Sequence, residues 1–320
     1  MTSPVTVLGI SNAIVDVLAH VDDETLAEIG APKGSMTLID QEQAEKIYAL
    51  MGPAMEMSGG SVANTIANLA NLGGKSAYIG CVADDQLGRI FVHDMQSLGV
   101  DVVLPPIDDG APTARSYILI SPGGERTMNT YLGACMELSP AHISESAIAG
   151  AGLILLEGYI WDNPHGPAAA AEAMRLAQEN GVKVGLTLSD SYCVDRHRDA
   201  FAEAIEHRVQ MVFANEQEII SLLGTDTFED AVAKTRELEP LFVLTRSEKG
   251  SVIVNNQGEV VQAAVSVAKV VDATGAGDAY IAGFLYGWTT GLPLAESAQL
   301  GSEYAARVIQ QVGPRLAKTI

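Results

Sequence analysis

Residues 153–188 read LILLEGYIWDNPHGPAAAAEAMRLAQENGVKVGLTL, and the order of elements in this stretch decides the fold class. Leu153–Leu156 is an apolar run of strand length. Pro167–Glu179 follows with helical period, Gly181 stands where a helix C-cap glycine is expected, and Lys183–Leu188 is again strand-like. The same alternation continues outward: a helix over Arg198–Glu206, a strand at Met211–Ala214, a helix at Glu216–Leu223 and a strand at Leu241–Thr245. Upstream, Thr6–Ile10 opens as a strand and Ile14–Val21 reads as another. Ser61–Leu72 places Val62, Ile66, Leu69 and Leu72 at helical spacing, with Ser61 as its N-cap. Strand–helix alternation of this kind predicts a mostly parallel sheet covered by helices on both faces.

Two stretches break the alternation. Ile14–Asp40 and Thr113–Tyr131 carry turn signals (Pro32-Lys33-Gly34 and Ser121-Pro122-Gly123-Gly124) and no long amphipathic helix. The second predicts a hairpin, Arg115–Ser121 against Arg126–Leu132. Both are expected to form a small β lid, inserted and discontinuous, over residues 13–40 and 113–131. The α/β core then comprises residues 1–12, 41–112 and 132–320.

Composition narrows the function. The 320 residues carry 40 acidic against 19 basic side chains, a formal net charge of −21, with 48% apolar and 5% aromatic residues. So acidic a surface repels phosphate backbones and anionic membranes, so neither is an expected partner. Three cysteines, Cys81, Cys135 and Cys193, form no CxxC pair and are expected as buried small apolar residues. Six scattered histidines offer no zinc-ligand spacing. The opening MTSPVTVLGIS lacks a basic leader, and no run of 18 apolar residues occurs, so a cytoplasmic protein is expected.

Three glycine- or acid-rich sites carry the chemistry. Asp272-Ala273-Thr274-Gly275-Ala276-Gly277-Asp278 opens a helical stretch. Small residues there present unpaired backbone N–H groups and the positive end of the helix dipole, which suits an anion. An Asp beside a bound phosphate is repelled unless it has a chemical task, such as taking a proton from an incoming hydroxyl. Taken alone, the motif is equally an acid placed at a helix start. A dinucleotide fingerprint fails because Tyr280 occupies the third glycine position, and Gly74-Lys75-Ser76 lacks the leading glycine of a Walker motif, where Leu69 stands. The second site, Gly59-Gly60-Ser61-Val62-Ala63-Asn64, lets a small molecule sit against bare backbone, with Asn64 one turn on. The third, Asn215-Glu216-Gln217-Glu218, follows a strand at the end where α/β sheets gather ligands, and Glu218 suits a Mg²⁺-bound water.

In this order and separation the three sites resemble the ribokinase-like (PfkB) carbohydrate and nucleoside kinase family, from Gly9 to about Val312, including Gly80–Gly88 and Asp272–Gly283. The resemblance implies a three-layer α/β/α core with a small β-sheet lid. It makes Asp278 the catalytic base, with Gly275, Ala276 and Gly277 forming the anion hole together with the Asp278 amide. It assigns ATP to Asn215, Glu218, Thr245, Gly250, Thr274, Gly275 and Gly277, with Mg²⁺ held by Glu218 through water; a monovalent cation stays open. Ser247 replaces the glycine usual in the nucleotide-side loop. Within the family, Gly9-Ile10-Ser11-Asn12-Ala13-Ile14-Val15-Asp16 and Leu186-Thr187-Leu188-Ser189 are similar to adenosine kinases. That similarity implies a ribose cradle of Asn12, Asp16, Gly59, Gly60 and Asn64, with Arg126 and Met128 on the lid. Arg126 is expected to neutralise the transferred phosphate on lid closure. The aromatic-rich adenine pocket of the animal enzymes is matched by Ile14, Met128, Thr130 and Ile160. The implied reaction is ATP-dependent phosphorylation of a nucleoside 5′-hydroxymethyl, adenosine to AMP, in purine salvage. Other nucleosides, a free sugar, or a non-catalytic nucleoside-binding protein are the alternatives. A monomer is expected over a lid-mediated dimer.

Overall fold

A computed structural model describes residues 5–103, 107 and 110–316. The terminal stretches assigned to the core, 1–4 and 317–320, lie outside the described residues, as do 104–106 and 108–109.

The described residues form fourteen strands: β1 Val5–Ile10, β2 Ile14–His20, β3 Met36–Leu38, β4 Met55–Gly59, β5 Ser76–Ile79, β6 Asp101–Val102, β7 Ala114–Ile120, β8 Arg126–Tyr131, β9 Ala151–Glu157, β10 Lys183–Thr187, β11 Met211–Asn215, β12 Leu241–Thr245, β13 Ser251–Asn255 and β14 Gly258–Gln262. Nine of them build one sheet in the order β14-β13-β12-β11-β10-β9-β1-β5-β6. Pairing is parallel from β12 through to β6, and antiparallel for β12–β13 and β13–β14.

The period-2 alternation of strand side chains makes this a three-layer molecule. On β9, Ile154 and Leu156 enter one apolar cluster together with Ala170, Ala173 and Ala177 of the helix Gly166–Glu179 and Phe201 of the helix Ser191–His207. Leu153 and Leu155 face the other way, into a cluster with Ile66 of the helix Ser61–Asn71 and Phe284 of the helix Ala276–Thr289. All four β9 residues are fully buried. At about 1.5–3 kcal/mol for each such side chain, both faces contribute comparably to the core.

The second sheet has the order β3-β8-β7-β2-β4. It contains the expected β7–β8 hairpin, antiparallel from Arg115↔Tyr131 to Ile120↔Arg126, with β2 parallel to β7. It also draws in β4, antiparallel to β2, which the sequence reading left with the core. Cys81, Cys135 and Cys193 are buried free thiols. Among the described residues, no helix is long and apolar enough to cross a membrane.

Candidate active site

The parallel strands run in one direction, so their carboxyl ends share one edge, and polar residues collect there. Ser11 and Asn12 follow β1, while Glu157, Thr187, Asn215 and Thr245 are the last residues of β9, β10, β11 and β12. Facing that edge is the start of the helix Ala276–Thr289. Its N-cap, Gly275, has φ 71°, and a Cβ there would lie 2.4 Å from the Pro314 Cβ, so only glycine fits. No side chain caps this helix. The Ala276 N–H bonds the Ala273 carbonyl at 3.2 Å. The first-turn amides of Gly277 and Asp278 are therefore the ones left for an anion, and both residues line a cavity of about 230 Å³.

Asp278 projects into that cavity from the first helical turn. Its Oδ1 accepts from the Ser61 hydroxyl at 2.7 Å and its Oδ2 from Asn64 Nδ2 at 3.3 Å. Burial pushes its carboxyl up to about 6, against the pull of those two bonds and of the Arg315 charge. Ser61 is thus not the N-cap: Gly60 occupies that position, and the serine hydroxyl is turned to the carboxylate instead. A carboxyl at about 6 is largely ionised near neutral pH and still basic enough to accept a proton.

Across the cavity, Asn215 caps the helix Glu216–Leu223 through Oδ1, which accepts from the N–H groups of Gln217 and Glu218, both at 2.9 Å. Glu218 returns the bond, accepting from the Asn215 N–H at 3.0 Å and from Nδ2 at 2.5 Å. It is 5% exposed, and burial pushes its carboxyl up to about 7, with the nearby Asp190 adding to the rise. A buried acid so perturbed gains from a cation, and its oxygens fit a Mg²⁺-bound water. Thr245 and Thr187 complete this wall. Gly250 does not line the cavity; at φ 89°, a Cβ there would lie 2.0 Å from the Gln262 carbonyl oxygen.

Asp278 also faces the lid. Asp16 of β2 pairs in register with Ser116, which pairs with Thr130, so the three form a row, and Met128 shares its face. Asp16 is 8% exposed, and burial pushes its carboxyl up to about 6 against the charges of Arg315 and Arg126. A Cβ on Gly59 would lie 2.4 Å from the Asp16 carboxyl carbon. One on Gly60, at φ 98°, would lie 2.5 Å from the Asn12 carbonyl. The glycine pair is what lets the lid and strand β1 close on this corner. Asn12 is buried, and its Oδ1 accepts from Asn163 Nδ2 at 2.7 Å.

Arg126 opens the lid strand β8 and reaches the anion loop. Its guanidinium pairs with Asp272 at 2.5 Å and donates to the Thr274 hydroxyl at 3.3 Å, latching the lid hairpin onto the anion loop. Near the matched base-pocket positions, Trp161 packs edge-on against Phe201 in the core and Tyr159 donates to Asp190 at 2.7 Å. Ile160 is fully buried and Thr130 shares a hydrogen bond with Ser116.

Sequence reasoning missed Glu157, Asn163, Ser58 and Arg315. Glu157 accepts from the Val62 N–H at 3.0 Å, at the start of the helix that carries Ser61 and Asn64. One signal could have found it, a lone acid closing the run LILL; Arg315 leaves none.

A family profile described as the pfkB family carbohydrate kinase matches residues 39–319. The chain is similar to the adenosine kinase of Sinorhizobium meliloti, whose crystal structure is 47% identical with TM-score 0.90, over 98% of this chain and 96% of that one. It is equally similar to a probable sugar kinase protein from Rhizobium etli, 46% identical with TM-score 0.90 over the same shares. The adenosine kinase of Saccharomyces cerevisiae is 26% identical over 98% of this chain and 97% of its own length.

Proposed function

The chain belongs to the pfkB family of carbohydrate kinases, and from that membership we propose that it is an ATP-dependent nucleoside kinase that phosphorylates the 5′-hydroxyl of adenosine. The observation that carries the reading is Asp278: a perturbed carboxyl at a glycine-opened helix start, held by Ser61 and Asn64, in one cavity with Asn215 and Glu218.

In this reading the ribose lies between the lid row and the glycine corner, with Asp16 accepting from its hydroxyls and Asn12 and Asn64 beside it. Asp278 takes the 5′-hydroxyl proton as that oxygen attacks the γ-phosphorus of ATP, and the O–P bond to the leaving ADP breaks in line. The amides of Gly277 and Asp278 receive the charge that develops on the phosphoryl oxygens. Asn215, Glu218 and Thr245 flank the nucleotide side of the cavity. Mg²⁺, held by Glu218 through water, would neutralise phosphate charge there. The Arg126–Asp272 latch supports a closed lid that keeps water from the phosphoryl group. We read the enzyme as a cytoplasmic monomer serving purine salvage. A free sugar is the second reading, favoured by the similarity to the Rhizobium etli protein.

A coupled ADP-release assay with Mg-ATP tests the reading against adenosine, other nucleosides and free sugars, alongside Asp278→Asn. Turnover dominated by adenosine and reduced about 10²–10⁴-fold in the variant is expected. Turnover confined to sugars would remove the nucleoside assignment, and near-normal rates in Asp278→Asn would remove the base.

A further inference from the structure

Arg315 reaches the site from the segment that follows the last helix, Leu294–Val308, and its side chain is 7% exposed. That segment is pinned in place. Asn68 Nδ2 donates to the Pro314 carbonyl at 3.0 Å, Asn71 Nδ2 to that of Leu316 at 3.2 Å, and the Gly313 N–H to Asp272 Oδ2 at 2.7 Å. From there the guanidinium donates through Nε to Asn64 Oδ1 at 2.9 Å and through Nη1 to Ser58 Oγ at 2.6 Å, with Asp94 Oδ2 at 3.4 Å. Nη2 is buried without a hydrogen-bond partner among the described residues.

A guanidinium has donors only, and a side-chain amide presents oxygen on one side and nitrogen on the other. Once Arg315 engages the Asn64 oxygen, the Asn64 nitrogen must turn to Asp278, where it donates to Oδ2 at 3.3 Å. With the amide reversed, an oxygen would confront the carboxylate. We propose that Arg315 is a positioning residue for phosphoryl transfer: it fixes the Asn64 amide toward Asp278 and is the counter-charge to the acids gathered around it. The inference rests on the reading of Asp278 as the base.

The charges that face the site come from several elements. Asp278 feels Arg315, Asp16 of β2 feels Asp278, Arg315 and Arg126, and Glu157 of β9 feels Asp278. Asp94, from the helix Gln86–Ser97, accepts from both the N–H and the hydroxyl of Ser58, and Asp94 and the Ser58 oxygen together hold the far side of the guanidinium. Arg126 is paired with Asp272, so removing Arg315 leaves no free cation beside Asp278 among these groups.

The test compares Arg315→Met, Arg315→Lys, Asn64→Ala and the Met/Ala double variant by thermal melting and by kcat and kcat/KM from pH 5 to 9, with adenosine and Mg-ATP. In Arg315→Met the acid limb of kcat/KM moves up by about one pH unit, and kcat at pH 7 falls at least about tenfold. The loss in kcat shrinks at least about threefold when Asn64 is already alanine. Should the methionine variant not fold, Arg315→Lys decides: it keeps the charge but not the fork, so its limb stays and its kcat falls. An unmoved limb with wild-type kcat in Arg315→Met, an undiminished effect in the Asn64→Ala background, or wild-type kcat in Arg315→Lys overturns the proposal. If Asp278→Asn keeps turnover, the base assignment fails first; if it is dead while Arg315→Met behaves as wild type, only the role of Arg315 fails.

Discussion

Glu157→Gln should make the protein more stable, and only above about pH 5. Glu157 ends β9 at 1% exposure, where Oε2 accepts from the Val62 N–H at 3.0 Å. Burial pushes its carboxyl from the ordinary 4.5 up to about 7, outweighing the hydrogen bonds from Val62, Asn12 and Ser11. Below pH 4.5 the group is protonated both folded and unfolded and adds no pH dependence. Between 4.5 and 7 the folded chain keeps a proton that the unfolded chain releases, so stability falls as pH rises. At about 1.4 kcal/mol per pKa unit, a rise from 4.5 to about 7 amounts to a loss of about 3 kcal/mol at pH 8. Glutamine is neutral throughout and keeps an oxygen for Val62. The variant should therefore melt about 5 °C above the parent at pH 8, with the difference closing by about pH 5. Differential scanning calorimetry across that range measures it without ligand. A difference independent of pH, or a variant less stable at pH 8, refutes the account of Glu157 as a desolvated acid.

Because Asp278 must be ionised to accept a proton, kcat/KM should rise through an acid limb near pH 6, shared with Asp16 as a coupled pair; a profile flat down to pH 5 contradicts this. Gly59→Ala and Gly60→Ala should separate. The first presses a methyl on the movable Asp16 carboxylate and raises the nucleoside KM about tenfold with little change in melting, whereas the second meets the fixed Asn12 carbonyl at positive φ and lowers melting as well. Equal melting in both would show the backbone argument to be mistaken. Arg126→Met strands Asp272 with only the Thr274 and Gly313 amides, so a loss of up to about 3 kcal/mol in thermal stability is expected, together with ADP release in the absence of nucleoside as the lid unlatches. Unchanged background hydrolysis would detach the latch from water exclusion.

The core was legible because its instructions are local. The unbroken apolar run Leu153–Leu156 of β9 and the helical spacing of Val62, Ile66 and Leu69 are each written within a few residues. The lid was legible where a hairpin turn announces it and illegible at β4. Met55–Gly59 is an edge strand with an exposed start, Met55 at 64%, and its short Met-Glu-Met-Ser alternation, without a β-branched or aromatic residue, is too weak a strand signal. The antiparallel β13–β14 edge escaped for a related reason: Gly258–Gln262 is largely exposed, and only its pairing with β13 makes it a strand.

The site divides along the same physical line. Gly60, Gly275 and Asp278 are recognisable because a positive φ, a close approach or a proton to be moved dictates the residue type at that position. Glu157, Asn163 and Arg315 have no such local imprint, because their partners lie 95, 151 and 251 residues away. The charge balance then follows from geometry that composition could not give. Against a surface of net charge −21, the two arginines at the site are each held by an acid, Arg126 by Asp272 and Arg315 by Asp94. Neither is a free cation for phosphate, so the attraction for an anion falls to the uncapped amides of Gly277 and Asp278. Of the four buried acids around them, Glu157 and Glu218, pushed up to about 7, ease the conflict by being about half protonated near neutral pH, while Asp16 and Asp278, at about 6, stay largely ionised. An anion site thus coexists with a crowd of carboxyl groups because desolvation, together with the Arg315 counter-charge, lowers the repulsion.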